Sequence, residues 1–125
     1  MEPFNLIWHR FPSFDAARRS FRGKGCIYLQ TDAAGSILRV GECDDPWERY
    51  KGGTAYALDA AGHNSGNLYF FAEVKEESRT RKAIEANLIF DLQPRYNNQH
   101  RNRAPRVRVQ CCHRGDVPKS LFEIQ

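Results

Sequence analysis

Tyr28 and Arg39 are the first pair of residues whose types and spacing indicate chemistry. They lie in two apolar and β-branched runs, residues 26–30 and 36–40, which are typical of the strands of a β-hairpin. With residues 32–35 as the turn, Tyr28 faces Arg39 across the two strands, within contact distance. A cation beside a phenol favours the phenolate, so one interpretation of this pairing is a pKa for Tyr28 below the reference value of about 10, and the other is a surface that binds without catalysis.

Glu85 is the second residue that calls for a chemical explanation. The periodicity predicts a helix from Ser78, as its N-cap, to Leu92. Leu88 and Ile89 follow Glu85 by three and four positions, which places Glu85 on the apolar stripe of that helix. A carboxylate on such a stripe is costly unless it meets a cation, a metal or several hydrogen-bond donors. Two interpretations remain open, a structural ion pair with an arginine and a metal ligand.

Basic residues are concentrated in the C-terminal part of the chain. No acidic residue occurs from position 95 to position 114, and arginine outnumbers lysine there. Because the guanidinium group matches the geometry of phosphate, this composition favours a surface for a polyanion, with a solvated basic tail as the alternative. The arginines of the segment are Arg95, Arg101, Arg103, Arg106, Arg108 and Arg114.

The remaining pattern predicts the elements that must position these residues. The run 67–74 is apolar almost throughout, which is typical of a strand buried on both faces in the middle of a sheet. Two short helices are also predicted, one capped by Ser13 and one with Asp45 as N-cap and Pro46 at its first position. The remaining predicted elements are a helical turn over 54–61, a loop containing His63, and an edge strand containing Val107 and Val109.

Length and composition set the class of protein. The chain has 125 residues, 41% of them hydrophobic, and a net charge of +4, as expected of one globular domain with a single core. Neither a signal peptide nor an apolar run of about 20 residues is apparent, so no membrane association is predicted. The four cysteines lack the spacing of a secreted disulfide scaffold, and a reducing cytoplasm is therefore the predicted location.

Two tripeptides and three single residues occur in an order that suggests a known family. Cys26-Ile27-Tyr28 and Arg39-Val40-Gly41 lie on the two hairpin strands, with ten residues between Tyr28 and Arg39. Arg49 follows on the next helix, Glu85 on the later helix, and Asn97 beyond it. This ordered set resembles the signature of the GIY-YIG nuclease superfamily.

The resemblance implies a fold and a division of the chain. The fold is α/β in an α+β layout, with a small central antiparallel sheet of about three strands flanked by helices. The implied domains are an N-terminal extension with a short helix over 1–24, a nuclease core over 25–97, and a basic C-terminal extension over 98–125.

The resemblance also implies an activity, the metal-dependent hydrolysis of nucleic-acid phosphodiester bonds, with DNA favoured over RNA. One divalent ion, Mg²⁺ or Mn²⁺, would be held by Glu85, and Tyr28 would orient or deprotonate the attacking water. Arg49 would neutralise charge on the phosphate, and Arg39 would grip it. The residues assigned to nucleic-acid binding are Arg39, Arg49, Lys51, Asn97, Arg101 and Arg103.

Two departures from the signature leave alternatives open. Cys26 stands where the family has its first glycine, and Arg39 stands where it has its second tyrosine. The alternatives are a catalytically inactive member that binds nucleic acid and a protein-interaction module on the same fold. Sequence specificity and oligomeric state are not predicted.

Overall fold

The computed structural model describes residues 3–51, 67–97 and 101–122. Within these ranges the chain forms five strands and four helices. The predicted helical turn over 54–61 and the predicted loop at His63 lie outside the described residues. In chain order the elements are β1 Phe4–Phe11, α1 Phe14–Ser20, β2 Cys26–Thr31, β3 Ile37–Cys43, α2 Pro46–Arg49, β4 Leu68–Glu73, α3 Ser78–Leu92, β5 Cys111–Gly115 and α4 Lys119–Phe122.

The strands form one mixed sheet in the order β3-β2-β4-β1-β5. β1, β2, β3 and β4 pair antiparallel, whereas β5 lies parallel to β1. The α+β layout is therefore confirmed, but the prediction of about three antiparallel strands is wrong, because two further strands extend the sheet. The strand predicted to be central, now β4, is the middle one of the five.

The two additional strands come from the predicted terminal extensions. β1 pairs with β4 from Trp8 to Phe11, and its Leu6 and Trp8 are buried in the core. The alternation that marks such a strand is obscured because Ile7 points to solvent and is 52% exposed. β5 begins at Cys111, four residues after the predicted position Val107, which is 55% exposed.

The sheet buries a core on each of its faces. One face packs against α3 and α4, and the other packs against α1 and α2. The first core includes Leu6, Trp8, Ile27, Leu29, Val40, Phe70, Ile84, Leu88, Ile89 and Leu121. The second is mainly aromatic and includes Phe14, Phe21, Tyr28, Tyr50, Tyr69 and Phe71.

The hairpin forms as predicted, but its register differs. Tyr28 pairs with Gly41, and Gln30 pairs with Arg39, so the predicted pairing of Tyr28 with Arg39 is wrong by two residues. There are two reasons. The loop is longer than predicted, and in it the Asp32 side chain accepts hydrogen bonds from two backbone N–H groups. In addition, the strand pairing is irregular between Gln30 and Thr31, just before this loop. Because the shift is even, Tyr28 and Arg39 keep the same face of the sheet.

The helix ends follow local capping rules with one exception. The side chain of Ser13 accepts from the Ala16 N–H at 3.1 Å, and Asp45 accepts from the Trp47 N–H at 3.0 Å, so both predicted caps are confirmed. The N-cap of α3 is Glu77 instead of Ser78, and Glu77 makes no side-chain capping bond.

Candidate active site

The face of β2 and β3 that lies under α2 carries the first part of the candidate site. Tyr28 and Gln30 alternate along β2, and their partners on β3 are Gly41 and Arg39. A Cβ atom at Gly41 would overlap the Tyr28 phenol ring. The absence of a side chain at Gly41 therefore lets the phenol lie across the edge strand.

Tyr28 is paired with a second tyrosine. Its hydroxyl is 2.5 Å from the hydroxyl of Tyr50, which directly follows α2. Phe14 of α1 packs against both rings, with centroid distances of 6.0 Å to Tyr28 and 5.2 Å to Tyr50. Tyr28 is 1% exposed and Tyr50 is 6% exposed, so the two hydroxyls form a buried polar pair within an aromatic core.

Burial dominates the ionisation of this pair. It raises the pKa of Tyr28 to about 12, although the hydrogen bond from Tyr50 and the charge of Arg39 both act in the opposite direction. Burial and the neighbouring Tyr28 also raise the pKa of Tyr50. The expectation that Arg39 lowers the pKa of Tyr28 below 10 is therefore wrong, because desolvation of the phenolate outweighs one nearby cation.

Glu85 contributes the second part of the candidate site, from α3. Burial raises the pKa of its carboxyl to about 7, and the charge of Glu42 on β3 adds to the rise. Arg39 and the Glu42 backbone N–H act in the opposite direction but do not compensate. A structural ion pair would lower this pKa, so the rise argues against that interpretation and leaves the metal-ligand interpretation open.

Arg39 acts on both parts of the site. Its charge opposes the rise in the pKa of Tyr28 and the rise in the pKa of Glu85. Its Nε atom is buried and has no hydrogen-bond partner in the described parts of the chain. The Nε2 and Oε1 atoms of the side-chain amide of Gln30, its cross-strand partner, are likewise without one. The N–H groups of Arg39 and Gln30 can therefore donate to an oxygen ligand without losing an existing hydrogen bond.

Glu42, the acidic neighbour of Glu85, is already paired. Its Oε2 atom is 3.4 Å from the Nε of Arg81, whose side chain also forms an ion pair with Asp44. Arg81 is only 6% exposed, and it donates to the Glu76 carbonyl at 2.7 Å. This arginine ties the end of β3 to the beginning of α3 and thereby fixes Glu85 relative to the hairpin.

Asn97 serves the site through the backbone of β3. Its Oδ1 accepts from the Val40 N–H at 2.8 Å, and its Nδ2 donates to the Val40 carbonyl at 2.9 Å. The Tyr96 N–H donates to the Leu38 carbonyl at 2.9 Å on the same outer edge. Since Asn97 is 5% exposed and its amide is engaged, the geometry favours positioning of β3 over the predicted contact with nucleic acid.

The structure does not bring the remaining predicted residues into direct contact with Tyr28, Arg39 or Glu85 in the described parts of the chain. Arg49 is exposed at the last position of α2, close enough to lower the pKa of Tyr50 by its charge. Lys51 is exposed and forms an ion pair of 3.0 Å with Glu48. In the C-terminal segment Arg101 is half-buried, and Arg103 is exposed.

Tyr50 and Gln30 are the site residues that sequence reasoning missed. Tyr50 is buried in the aromatic core, and its hydroxyl makes the hydrogen bond that holds Tyr28. A signal was available for Gln30, because it follows Tyr28 by two positions in the predicted strand and therefore shares its face.

A divalent ion fits this donor set only as a one-carboxylate site. Among the described residues there is no group of three His, Cys, Asp or Glu side chains that could hold a metal. In the described parts of the chain, Glu85 is the carboxylate whose protonated form is favoured by its surroundings, which a bound cation would reverse. Such a site suits a divalent cation that keeps several waters when few protein oxygens are available.

No protein-family model matches the sequence. No curated protein was found that matches it either. Among solved structures, the chain is similar to crystal structures of the GIY-YIG N-terminal endonuclease domain of UvrC from Thermotoga maritima. Three of these are different point mutants, each bound to its catalytic divalent cation.

The similarity covers 69% of this chain and 96% of the UvrC domain, with TM-scores of 0.54 to 0.55 and sequence identities of 17% to 18%. At this identity the likeness is one of fold. The resemblance to the GIY-YIG superfamily is thus confirmed for the fold. In addition, no helix in the described part of the chain has the length and apolar character needed to cross a membrane.

Proposed function

We propose that this protein is a divalent-metal-dependent nuclease that hydrolyses phosphodiester bonds in nucleic acid, with DNA favoured over RNA. The observation that carries the proposal is the environment of Glu85, a carboxylate with a pKa raised to about 7 next to Arg39. The GIY-YIG endonuclease domains of the same fold support it, since they are bound to a catalytic divalent cation.

Glu85 is the residue that would hold the ion, Mg²⁺ or Mn²⁺. When bound, the ion supplies Lewis-acid stabilisation of the phosphate and a more acidic water. The Glu42 N–H and Arg39 help to keep the Glu85 carboxylate ionised, which it must be in order to bind a cation. Arg81 neutralises Glu42 and so limits the repulsion that Glu42 exerts on Glu85.

Arg39 and Arg49 would bind the phosphate on which the reaction occurs. Arg39 has a buried Nε–H without a partner among the described residues, so it can donate to a phosphate oxygen. Arg49 is exposed beside the Tyr28–Tyr50 pair and can neutralise charge that develops during cleavage.

Tyr28 would act as a neutral hydroxyl. With a pKa of about 12, only about 3 in 100,000 of the Tyr28 side chains are ionised near pH 7.5, so a phenolate base is not available in this state. The hydroxyl can instead orient water or the phosphate, and Tyr50 fixes its direction. The family's second tyrosine is replaced by Arg39, and Tyr50 brings a second tyrosine hydroxyl to Tyr28 from a different element.

Binding of the remaining nucleic acid would use further cations of the chain. Lys51, Arg101 and Arg103 are assigned to this role on the basis of charge; Lys51 and Arg103 are exposed, and Arg101 is half-buried. The four cysteines are free thiols, which is consistent with the proposed cytoplasmic location.

The experiment that tests the proposal is a cleavage assay on single-stranded, duplex and branched DNA and on RNA, with Mg²⁺, Mn²⁺ or EDTA. We expect cleavage that requires metal and falls by at least about 100-fold in Glu85→Gln. The matched control is Asp91→Asn, which removes an exposed carboxylate from the same helix. Cleavage that survives in EDTA, or in Glu85→Gln, would refute the assignment of Glu85 as the metal ligand.

One observation favours a second candidate function, nucleic-acid binding without catalysis. Because Tyr28 is 1% exposed, its hydroxyl has no access to bulk water. Burial also raises its pKa to about 12, so the phenol is neutral at ordinary pH. A silent member would bind DNA or RNA in a salt-dependent manner and cut neither with any metal. Retained binding together with absent cleavage in all metals would therefore replace the nuclease proposal with this one.

A further inference from the structure

Three arginines of the N-terminal segment surround one tryptophan of α2. The guanidinium carbons of Arg18, Arg22 and Arg19 lie 4.1, 5.0 and 5.8 Å from the centroid of the Trp47 ring. Three cations around one indole are unusual, since such contacts occur roughly once per 70–80 residues. We call Arg18, Arg19, Arg22 and Trp47 the Arg–Trp platform.

The members of the platform differ in what they do for the fold. Arg18 is 6% exposed and donates to the Trp47 carbonyl at 2.6 Å, so it joins α1 to α2. Arg19 is a surface residue whose side chain is 67% exposed, and it forms an ion pair of 2.7 Å with Asp15. Arg22 is also exposed, and no carboxylate pairs with it in the described ranges. The outer side of the platform is therefore positively charged.

Two nearby carboxylates, Asp15 and Asp45, offset part of this charge, and the three arginines leave a positive excess. Asp15 is shared between Arg18 and Arg19. The Oδ1 atom of Asp45 accepts from the Gly23 N–H at 2.8 Å and from the Trp47 N–H at 3.0 Å. Since both N–H groups bind the same carboxylate oxygen, the exit of α1 and the start of α2 are held together.

The platform is rigidly connected to the candidate active site. Trp47 and Arg49 lie within the same turn of helix, α2, and Tyr50 follows directly. Phe14 at the start of α1 packs on Tyr50, so α1 contacts α2 on both sides of that turn. A ligand held by Arg19 and Arg22 would consequently lie against the same short helix that carries Arg49.

We infer that the Arg–Trp platform is a second nucleic-acid contact, in which Arg19 and Arg22 bind phosphates of the strand that leads into the site at Arg49. The occupant is a sugar-phosphate backbone. Two exposed guanidinium groups held by a fixed scaffold match the regularly spaced negative charges of successive phosphates, and they provide no pocket that would recognise a particular nucleobase. The inference rests on the proposed function and adds to it the path of the substrate, which runs over α1 as well as over the basic C-terminal segment.

The test is binding of labelled duplex DNA by the full-length protein in EDTA, measured by fluorescence anisotropy over a range of salt concentrations. The variant is Arg19→Gln with Arg22→Gln. The matched control, Arg10→Gln with Lys119→Gln, removes the same charge from exposed positions on the opposite face of the sheet. Thermal unfolding of both variants establishes that the fold is retained.

The logarithm of the association constant falls linearly with the logarithm of the salt concentration. Because the Arg19 and Arg22 variant loses two phosphate contacts, we expect this slope to become less steep by about 1.8. The slope of the control should remain close to that of the wild type. An unchanged slope in the platform variant, or an equal loss of slope in both variants, would overturn the inference. The proposed function would still stand in that case if the protein showed metal-dependent cleavage. A wild-type protein that neither binds nor cuts nucleic acid would overturn both.

Discussion

Glu85→Gln should separate the stability of this protein from its metal binding. The substitution keeps the size of the side chain and removes a carboxylate that the fold holds in an unfavourable setting. Its pKa rises from an ordinary value of 4.5 to about 7, first because of burial and second because of Glu42. In the absence of metal we therefore expect the variant to be more stable than the wild type at alkaline pH.

The size and pH window of the effect follow from linkage. Below pH 4.5 the carboxyl is protonated in both the folded and the unfolded chain, and the ionisation of Glu85 makes no difference. Between pH 4.5 and about 7 only the unfolded chain releases the proton, so the stability of the wild type falls as the pH rises. The pKa difference corresponds to about 3 kcal/mol, and partial exposure of Glu85 reduces the expected gain of the variant to about 2 kcal/mol.

The assay is urea unfolding of wild type and Glu85→Gln at pH 5 and pH 8, in EDTA and in excess Mg²⁺ or Mn²⁺. The stabilities should be similar at pH 5, and the variant should be more stable at pH 8. Metal should then stabilise only the wild type, by about 1.4 kcal/mol at ten times the dissociation constant. A variant less stable than the wild type at pH 8, or a metal effect equal in both proteins, would refute the reasoning.

Three further substitutions test the geometry of the site, each followed by urea unfolding and by cleavage. Tyr50→Phe leaves the buried Tyr28 hydroxyl without its 2.5 Å partner and should cost about 1–3 kcal/mol, with cleavage reduced. Asn97→Ala removes both bonds to the Val40 backbone and should cost about 2–4 kcal/mol. Gly41→Ala places a methyl group against the Tyr28 ring and should cost about 1–3 kcal/mol, with loss of cleavage.

Tyr50→Phe and Asn97→Ala each have a control in the same chain. Tyr96→Phe removes a phenol from a half-buried position outside the Tyr28–Tyr50 pair, and Asn102→Ala removes an exposed amide. Both should change the free energy of unfolding by less than about 0.5 kcal/mol. If Tyr50→Phe or Asn97→Ala behaves like its control, the corresponding hydrogen bond does not hold the site together.

Local sequence signals correctly predicted those helices and strands whose position is decided by a capping residue or by the hydrophobic pattern. The caps at Ser13 and Asp45, the helix over Ser78–Leu92 and the buried strand β4 follow from capping and from hydrophobic pattern. β1 was missed because the exposed Ile7 interrupts its alternation. The position of β5 depends on pairing with β1, which local patterns do not encode.

The candidate site could be predicted as a set of residues but not as a geometry. Glu85 is anomalous on its helix, and this anomaly is visible in the sequence. The register of the hairpin depends on the side-chain hydrogen bonds of Asp32, so the partner of Tyr28 could not be fixed by counting residues. The link between Tyr28 and Tyr50 spans 22 positions and arises only when α1 and α2 pack on the sheet.

The outer edge of β3 has a consequence for the protein in solution. An edge strand with free backbone groups can pair with a strand of another molecule, and this is a common start of aggregation. Here Asn97 and Tyr96 occupy the groups of Val40 and Leu38, although they lie 57 or more positions further along the chain. The same contacts that position the site therefore also cover the edge, and a variant that releases residues 94–97 should self-associate as well as lose activity.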